Sequence, residues 1–134
     1  MKKLILDTSV LVKWFAEDEK NKTADKLFKQ LKNQKVTIFL PELAKYELGN
    51  ALLKGKNFTF KDIKKSLINF YNLPIIFIIQ NQKLSLLAYQ IAEKLNITYY
   101  DASFLALAKL QNATLITANP KHQKAVKGIK IGFL

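Results

Sequence analysis

Apolar residues run along this chain in two rhythms: short unbroken runs, and longer stretches in which they recur three and four positions apart. The first run, Leu4-Ile5-Leu6, ends in Asp7; Thr8 and Ser9 follow, and an apolar segment resumes from Val10 to Ala16. The pattern predicts a buried parallel strand that delivers one acid to its C-terminal tip, then a helix with Thr8 or Ser9 as N-cap. A plainer reading is that Asp7 only caps that helix. Trp14 is expected in the core rather than in a cleft. Glu17-Asp18-Glu19 reads as a solvated acidic helix start, favoured there by the macrodipole. Between Asn21 and Lys32, the residues Ala24, Leu27, Phe28 and Leu31 form the stripe of an amphipathic helix, with Lys22, Lys26, Lys29 and Lys32 on its wet side.

Val36 to Leu40 predicts a second strand, stopped by Pro41, which is expected in the first turn of the next helix. From Glu42 to Lys54, one broad face carries Leu43, Tyr46, Glu47, Asn50, Ala51 and Leu53. Glu47 thus sits among apolar and small residues, where a carboxylate needs a partner or a metal. Gly55 ends this helix. Thr59 and Asp62 have the spacing of a capping box for a helix reaching Tyr71. Leu73 to Ile79 is almost unbroken in apolar character and is expected as a strand covered on both faces. A helix from Leu84 to Leu95 turns Leu84, Leu87, Ala88, Ile91 and Leu95 inward. Asp101 is expected to open a helix, Ala102 to Leu110, so apolar that it must be central. Ala113 to Thr117 is a further strand that again ends in polar oxygens, Thr117 and Asn119, before a helix start at Pro120. His122, beside Lys121 and Lys124, reads as surface. Ile129 to Phe133 is a closing strand.

Strands and helices alternate throughout, so the expected fold is a single α/β domain over 1–134, a three-layer α/β/α sandwich with a mainly parallel central sheet. No apolar run approaches the roughly 18 residues of a membrane span. Met1-Lys2-Lys3 before Leu4-Ile5-Leu6 resembles the start of a secretion signal, but Asp7 interrupts it and no small-residue cleavage site follows. There is no cysteine, which excludes a disulfide framework, a thiolate metal site and a cysteine nucleophile. A cytoplasmic protein without a membrane partner is the expectation.

Charge narrows the partner. Twenty-two basic residues stand against 10 acidic ones, a net charge of +12, and every basic residue is lysine. Such an excess suits a polyanion, nucleic acid being the commonest; the plainer reading is a lysine-rich solvated surface. Lysine offers point charges to phosphates but no bidentate guanine readout, so binding is expected to follow the backbone and to fall steeply with salt.

In the expected sheet, Asp7, Asn119 and Asp101 gather near one edge and Glu47 reaches in from its helix. Carboxylates that close repel one another unless a cation intervenes. All-oxygen ligands select Mg²⁺ or Mn²⁺ over zinc. Bound Mg²⁺ keeps several waters, one of which can be deprotonated to attack phosphorus, while a second ion about 4 Å away would stabilise the leaving oxygen. The coherent expectation is metal-dependent phosphodiester hydrolysis, with Thr8, Ser9 and Thr117 supporting the acids and Lys13 binding the substrate.

Four blocks carry a family resemblance: Leu-Asp-Thr-Ser-Val-Leu-Val at 6–12, Tyr-Glu-Leu-Gly-Asn-Ala-Leu at 46–52, Tyr-Asp-Ala-Ser-Phe-Leu-Ala-Leu-Ala at 100–108 and Leu-Ile-Thr-Ala-Asn at 115–119. In this order they resemble PIN domains, and among these the VapC-type toxins of toxin–antitoxin pairs. The resemblance implies a Mg²⁺- or Mn²⁺-dependent endoribonuclease acting on RNA, a homodimer, and inhibition by a small cognate antitoxin. It makes Asp7, Glu47 and Asp101 the catalytic, metal-binding acids. The fourth block departs from the family's usual Thr-Ala-Asp: Asn119 offers an amide oxygen without charge, which implies weaker occupancy by a second metal. Some PIN domains serve as RNA-binding or scaffold modules, and the missing fourth acid is compatible with that. A haloacid-dehalogenase-type phosphatase would need a second Asp where Ser9 stands, and a receiver domain would need an acidic pair in the first block.

Overall fold

The computed structural model describes residues 1–16, 21–55, 58–119 and 126–134. Its centre is a sheet of five strands, β1 (Lys2–Leu6), β2 (Val36–Pro41), β3 (Ile76–Ile78), β4 (Thr114–Thr117) and β5 (Lys130–Phe133), in the order β3-β2-β1-β4-β5. All four pairings are parallel, with Leu4 opposite both Ile38 and Thr114. Successive residues of a strand point to opposite faces. Leu4, Ile5 and Leu6 are nevertheless all buried, so helices cover both faces of the central strand. The chain steps outward from β1 in one direction through β2 and β3, then returns to the other side for β4 and β5. The crevice outside the carboxyl ends of β1 and β4 is therefore the topological switch point, where open α/β sheets bind ligands.

Six helices occur among the described residues: α1 (Thr8–Phe15), α2 (Lys22–Lys32), α3 (Leu43–Lys54), α4 (Phe60–Asn72), α5 (Gln82–Leu95) and α6 (Tyr99–Gln111). The most deeply buried of them, α6, is buried at every position from Ala102 to Ala108. It lies against β1, β2 and β4, and α5 packs on it. α1 contacts β1 and β4, α2 contacts β2, and α3 packs on α1 and β2. The result is the expected three-layer α/β/α sandwich with a parallel sheet. The α4 capping box forms as its spacing predicts, with Thr59 and Asp62 each holding the other's backbone N–H. Trp14 belongs to the core's margin: its indole N–H donates to the Ala24 carbonyl at 2.8 Å, and its ring meets Phe28 edge-on.

Several local expectations are corrected. Asp7, not Thr8 or Ser9, is the N-cap of α1 and accepts the Ser9 N–H. Pro41 is the last residue of β2, opposite Ile78, rather than the first of a helix. It has no N–H to give, and the pairing resumes through the Glu42 N–H, which donates to the Ile78 carbonyl at 3.0 Å. The run from Leu73 to Ile79 supplies only the three residues of β3, at the sheet's edge, where Ile76 and Ile79 are exposed. On α3 the buried stripe is Ala44, Leu48 and Leu52, while Tyr46, Asn50 and Leu53 are exposed. Apolar side chains surround that helix, so the sequence pattern could not choose a face; packing on α1 and β2 did. Asp101 is the third residue of α6, whose N-cap is Thr98, accepting the Asp101 N–H at 3.0 Å. The expectations for Glu17-Asp18-Glu19, Pro120 and His122 fall outside the described residues. No described helix is long and apolar enough to cross a membrane.

Candidate active site

Asp7 emerges directly from the C-terminal end of β1, and its N–H donates to the Ile116 carbonyl of β4 at 3.2 Å. Its carboxylate is held on both oxygens. The Ser9 N–H (3.1 Å) and the Ser9 hydroxyl donate to Oδ1, and the Thr117 hydroxyl donates to Oδ2 at 2.5 Å. Each of those hydroxyls in turn accepts a backbone N–H from the turn after β4: Ala118 on Ser9 Oγ at 3.0 Å and Asn119 on Thr117 Oγ1 at 3.1 Å. A hydroxyl has one proton to give and lone pairs to receive, so both groups are used in each sense. The network locks the start of α1 to the tip of β4 and fixes the direction in which Asp7 presents its charge.

Glu47 comes from the second turn of α3. Thr8 Oγ1 donates to its Oε1 at 2.6 Å, so the residue after Asp7 orients the second acid. Burial pushes the Asp7 carboxyl above its ordinary range, and the hydrogen bonds from Ser9 and Thr117 only partly pull it back. Burial does the same to Glu47; the Thr8 hydrogen bond opposes it, and the charges of Asp101 and Asp7 add to it. Asp101, half-buried on the first turn of α6, stands at the positive end of that helix's dipole.

Asp7, Thr8, Ser9, Glu47, Asp101 and Asn119 line one cavity of about 380 Å³ at the carboxyl ends of β1 and β4. The sheet thus brings together the four ligands expected from the sequence. Thr117 is fully buried behind Asp7, in contact with it. Lys13, half-buried in the last turn of α1, is not among the lining residues. Beside Ala51, three residues not expected in the site from the sequence also line it: Asn50 and Lys54 further along α3, and the buried Phe104 of α6. Helical spacing carried the signal for the first two, since they follow Glu47 by three and seven positions.

Three carboxylates and an amide oxygen are a hard-cation donor set. Among the described residues no three acidic or imidazole side chains close into a compact ligand cluster. The repulsion from Asp101 and Asp7, which adds to burial in raising Glu47, is what a divalent cation placed between the acids would relieve.

The family model described as PIN domain matches residues 4–128. No curated protein matches the chain. Among solved structures, similarity extends over nearly the whole fold. The DNA-bound VapBC from Salmonella typhimurium matches with a TM-score of 0.76 at 15% identity, covering 99% of this chain and 98% of that one. The VapBC2 structure from Rickettsia felis, bound to a DNA fragment from their promoter, matches with a TM-score of 0.73 at 18% identity, covering 98% of each chain. VapC20 of Mycobacterium tuberculosis, a Sarcin-Ricin loop cleaving toxin, matches with a TM-score of 0.67 at 12% identity, covering 85% of this chain and 86% of that one.

Proposed function

The chain belongs to the PIN domain family, and on that premise we propose that it is a Mg²⁺- or Mn²⁺-dependent endoribonuclease, the toxin of a toxin–antitoxin pair. The observation that carries this reading is the meeting of Asp7, Glu47 and Asp101 in one cavity at the sheet's switch point. These three acids, with Asn119, would hold the cation. When bound, the cation would neutralise the carboxylates and polarise the phosphodiester for hydrolysis. The chain's own contribution is orientation. Ser9 and Thr117 keep Asp7 from rotating, and Thr8 keeps Glu47 aimed into the cavity. Because these donors are preorganised, no reorganisation is needed as charge builds on the phosphate.

The net charge of +12 supports a polyanionic substrate. The likeness to VapBC structures supports a small antitoxin as partner. Tyr46 and Leu53 on α3, with Phe60 at the start of α4, are each more than three-quarters exposed and supply apolar surface that such a partner would cover. A homodimer belongs to the same proposal.

The test is cleavage of a mixed structured RNA pool by the purified protein with Mg²⁺, Mn²⁺ or EDTA, beside Asp101→Ala. Cleavage that requires the metal and disappears in the variant supports the reading. RNA binding without cleavage under any condition would instead favour an RNA-binding module, a reading that Asn119, in place of the family's usual fourth acid, specifically favours.

A further inference from the structure

We propose that Lys54, assisted by Asn50, is the phosphate-gripping wall of this cavity and holds the RNA backbone beside the scissile bond; the inference rests on the ribonuclease reading above. α3 turns Glu47, Asn50, Ala51 and Lys54 into the same space. Their offsets of three, four and seven positions make a single stripe along the helix. The stripe begins with an acid and ends with a cation. Seven residues correspond to roughly 10 Å of helix axis, so Lys54 leaves the helix two turns beyond Glu47.

The charges explain why a cation is needed there. Three carboxylates line the cavity, and among the described residues Lys54 is the one cation lining it. A phosphodiester entering this space meets repulsion from the acids, which an ammonium lining the same cavity offsets. Lys54 is also uncommitted: it makes no ion pair or side-chain hydrogen bond among the described residues. Lys45, nine residues earlier on the same helix, shows the contrast. It is paired with Glu42 at 2.9 Å and lies 4.3 Å from the centre of the Phe77 ring, so it is occupied in holding the fold. Lys13, the other candidate for the substrate's phosphate, does not line the cavity. The exposed Asn50 adds amide N–H donors one turn nearer the acids.

A structural alternative exists for a lysine in the last turn of a helix, namely compensation of the C-terminal dipole. Kinetics on the RNA that the wild type cleaves separate the two. With the full-length chain, Lys54→Gln is expected to raise KM about tenfold with kcat changed less than about threefold. Its logarithmic salt dependence of RNA binding, measured in EDTA, should be shallower by about 0.7, the value of one phosphate contact on a single strand. Lys54→Arg should restore both, and Asn50→Ala should raise KM by a smaller factor. If Lys54→Gln leaves KM and the salt slope as in the wild type, or if thermal melting falls in parallel with the loss, the inference is overturned while the ribonuclease reading stands. A wild type that neither cleaves nor binds RNA overturns both.

Discussion

The Thr117 hydroxyl donates to Asp7 Oδ2 at 2.5 Å across 110 residues of chain, joining the ends of two adjacent parallel strands. Thr117 is fully buried, so it cannot exchange this bond for one to water. Replacing it with valine keeps the shape and removes the donor from a desolvated carboxylate. Thr117→Val is expected to cost about 2 kcal/mol in urea unfolding, the range for a hydrogen bond to a charged group. Cleavage should fall as well, because Asp7 loses one of the donors that fix it.

Asp7 itself sets stability against function. Its folded pKa lies above its unfolded value, so its contribution to stability is fully present below the unfolded pKa and is lost as pH rises through the folded one. Glu47 acts in the same direction. In EDTA, Asp7→Asn should therefore match the wild type near pH 4 and melt higher at pH 7. Asparagine caps a helix as well as aspartate does, so α1 keeps its start. Cleavage should be lost. Melting curves from pH 4 to 8 decide it, and a variant that melts lower than the wild type at pH 7 would refute the account.

Asn119 provides the converse test. Asn119→Asp adds a fourth carboxylate to a cavity that already holds three. Mg²⁺ affinity should rise on the order of tenfold, since affinity at oxygen sites follows ligand charge. In metal-free buffer the same change should lower the melting temperature through added repulsion. Calorimetric titration with Mg²⁺ and melts with and without EDTA report the two effects; a change in neither would mean that position 119 does not face the cation.

The face of α3 can be checked by truncation. Leu48 is fully buried and Leu53 is 80% exposed. Leu48→Ala should cost 2–5 kcal/mol as a cavity-forming change in a core, and Leu53→Ala no more than about 0.5. Equal losses would mean that Leu53 is covered in solution, as a partner or a second copy seated on Tyr46, Leu53 and Phe60 would cover it.

Much of this was legible in the sequence, for a reason that differs from element to element. Leu4-Ile5-Leu6 followed by Asp7 read as a buried strand ending in an acid, and the nearly all-apolar surface of residues 102–108 as a central helix. Residues expected to gather at one edge, Asp7, Glu47, Asp101 and Asn119, do line one cavity. Local chemistry fixes the first two, which depend on neighbours a few positions away; the gathering follows from a parallel sheet, which sets its strand tips along one edge.

What the chain alone left open depended on partners distant in sequence. The leucines and tyrosine of α3 offered several faces, and only packing against α1 and β2 selected Ala44, Leu48 and Leu52. The isoleucines of 75–79 promised a covered strand, and only their place at the sheet's edge left Ile76 and Ile79 in water. Lys13 and Lys54 look alike as letters; the crossing of α3 over the switch point gave the cavity to Lys54. Hydrophobic periodicity specifies that an element will be buried on one side. Which side, and which polar groups that choice turns into a shared space, is decided when the layers close over the sheet.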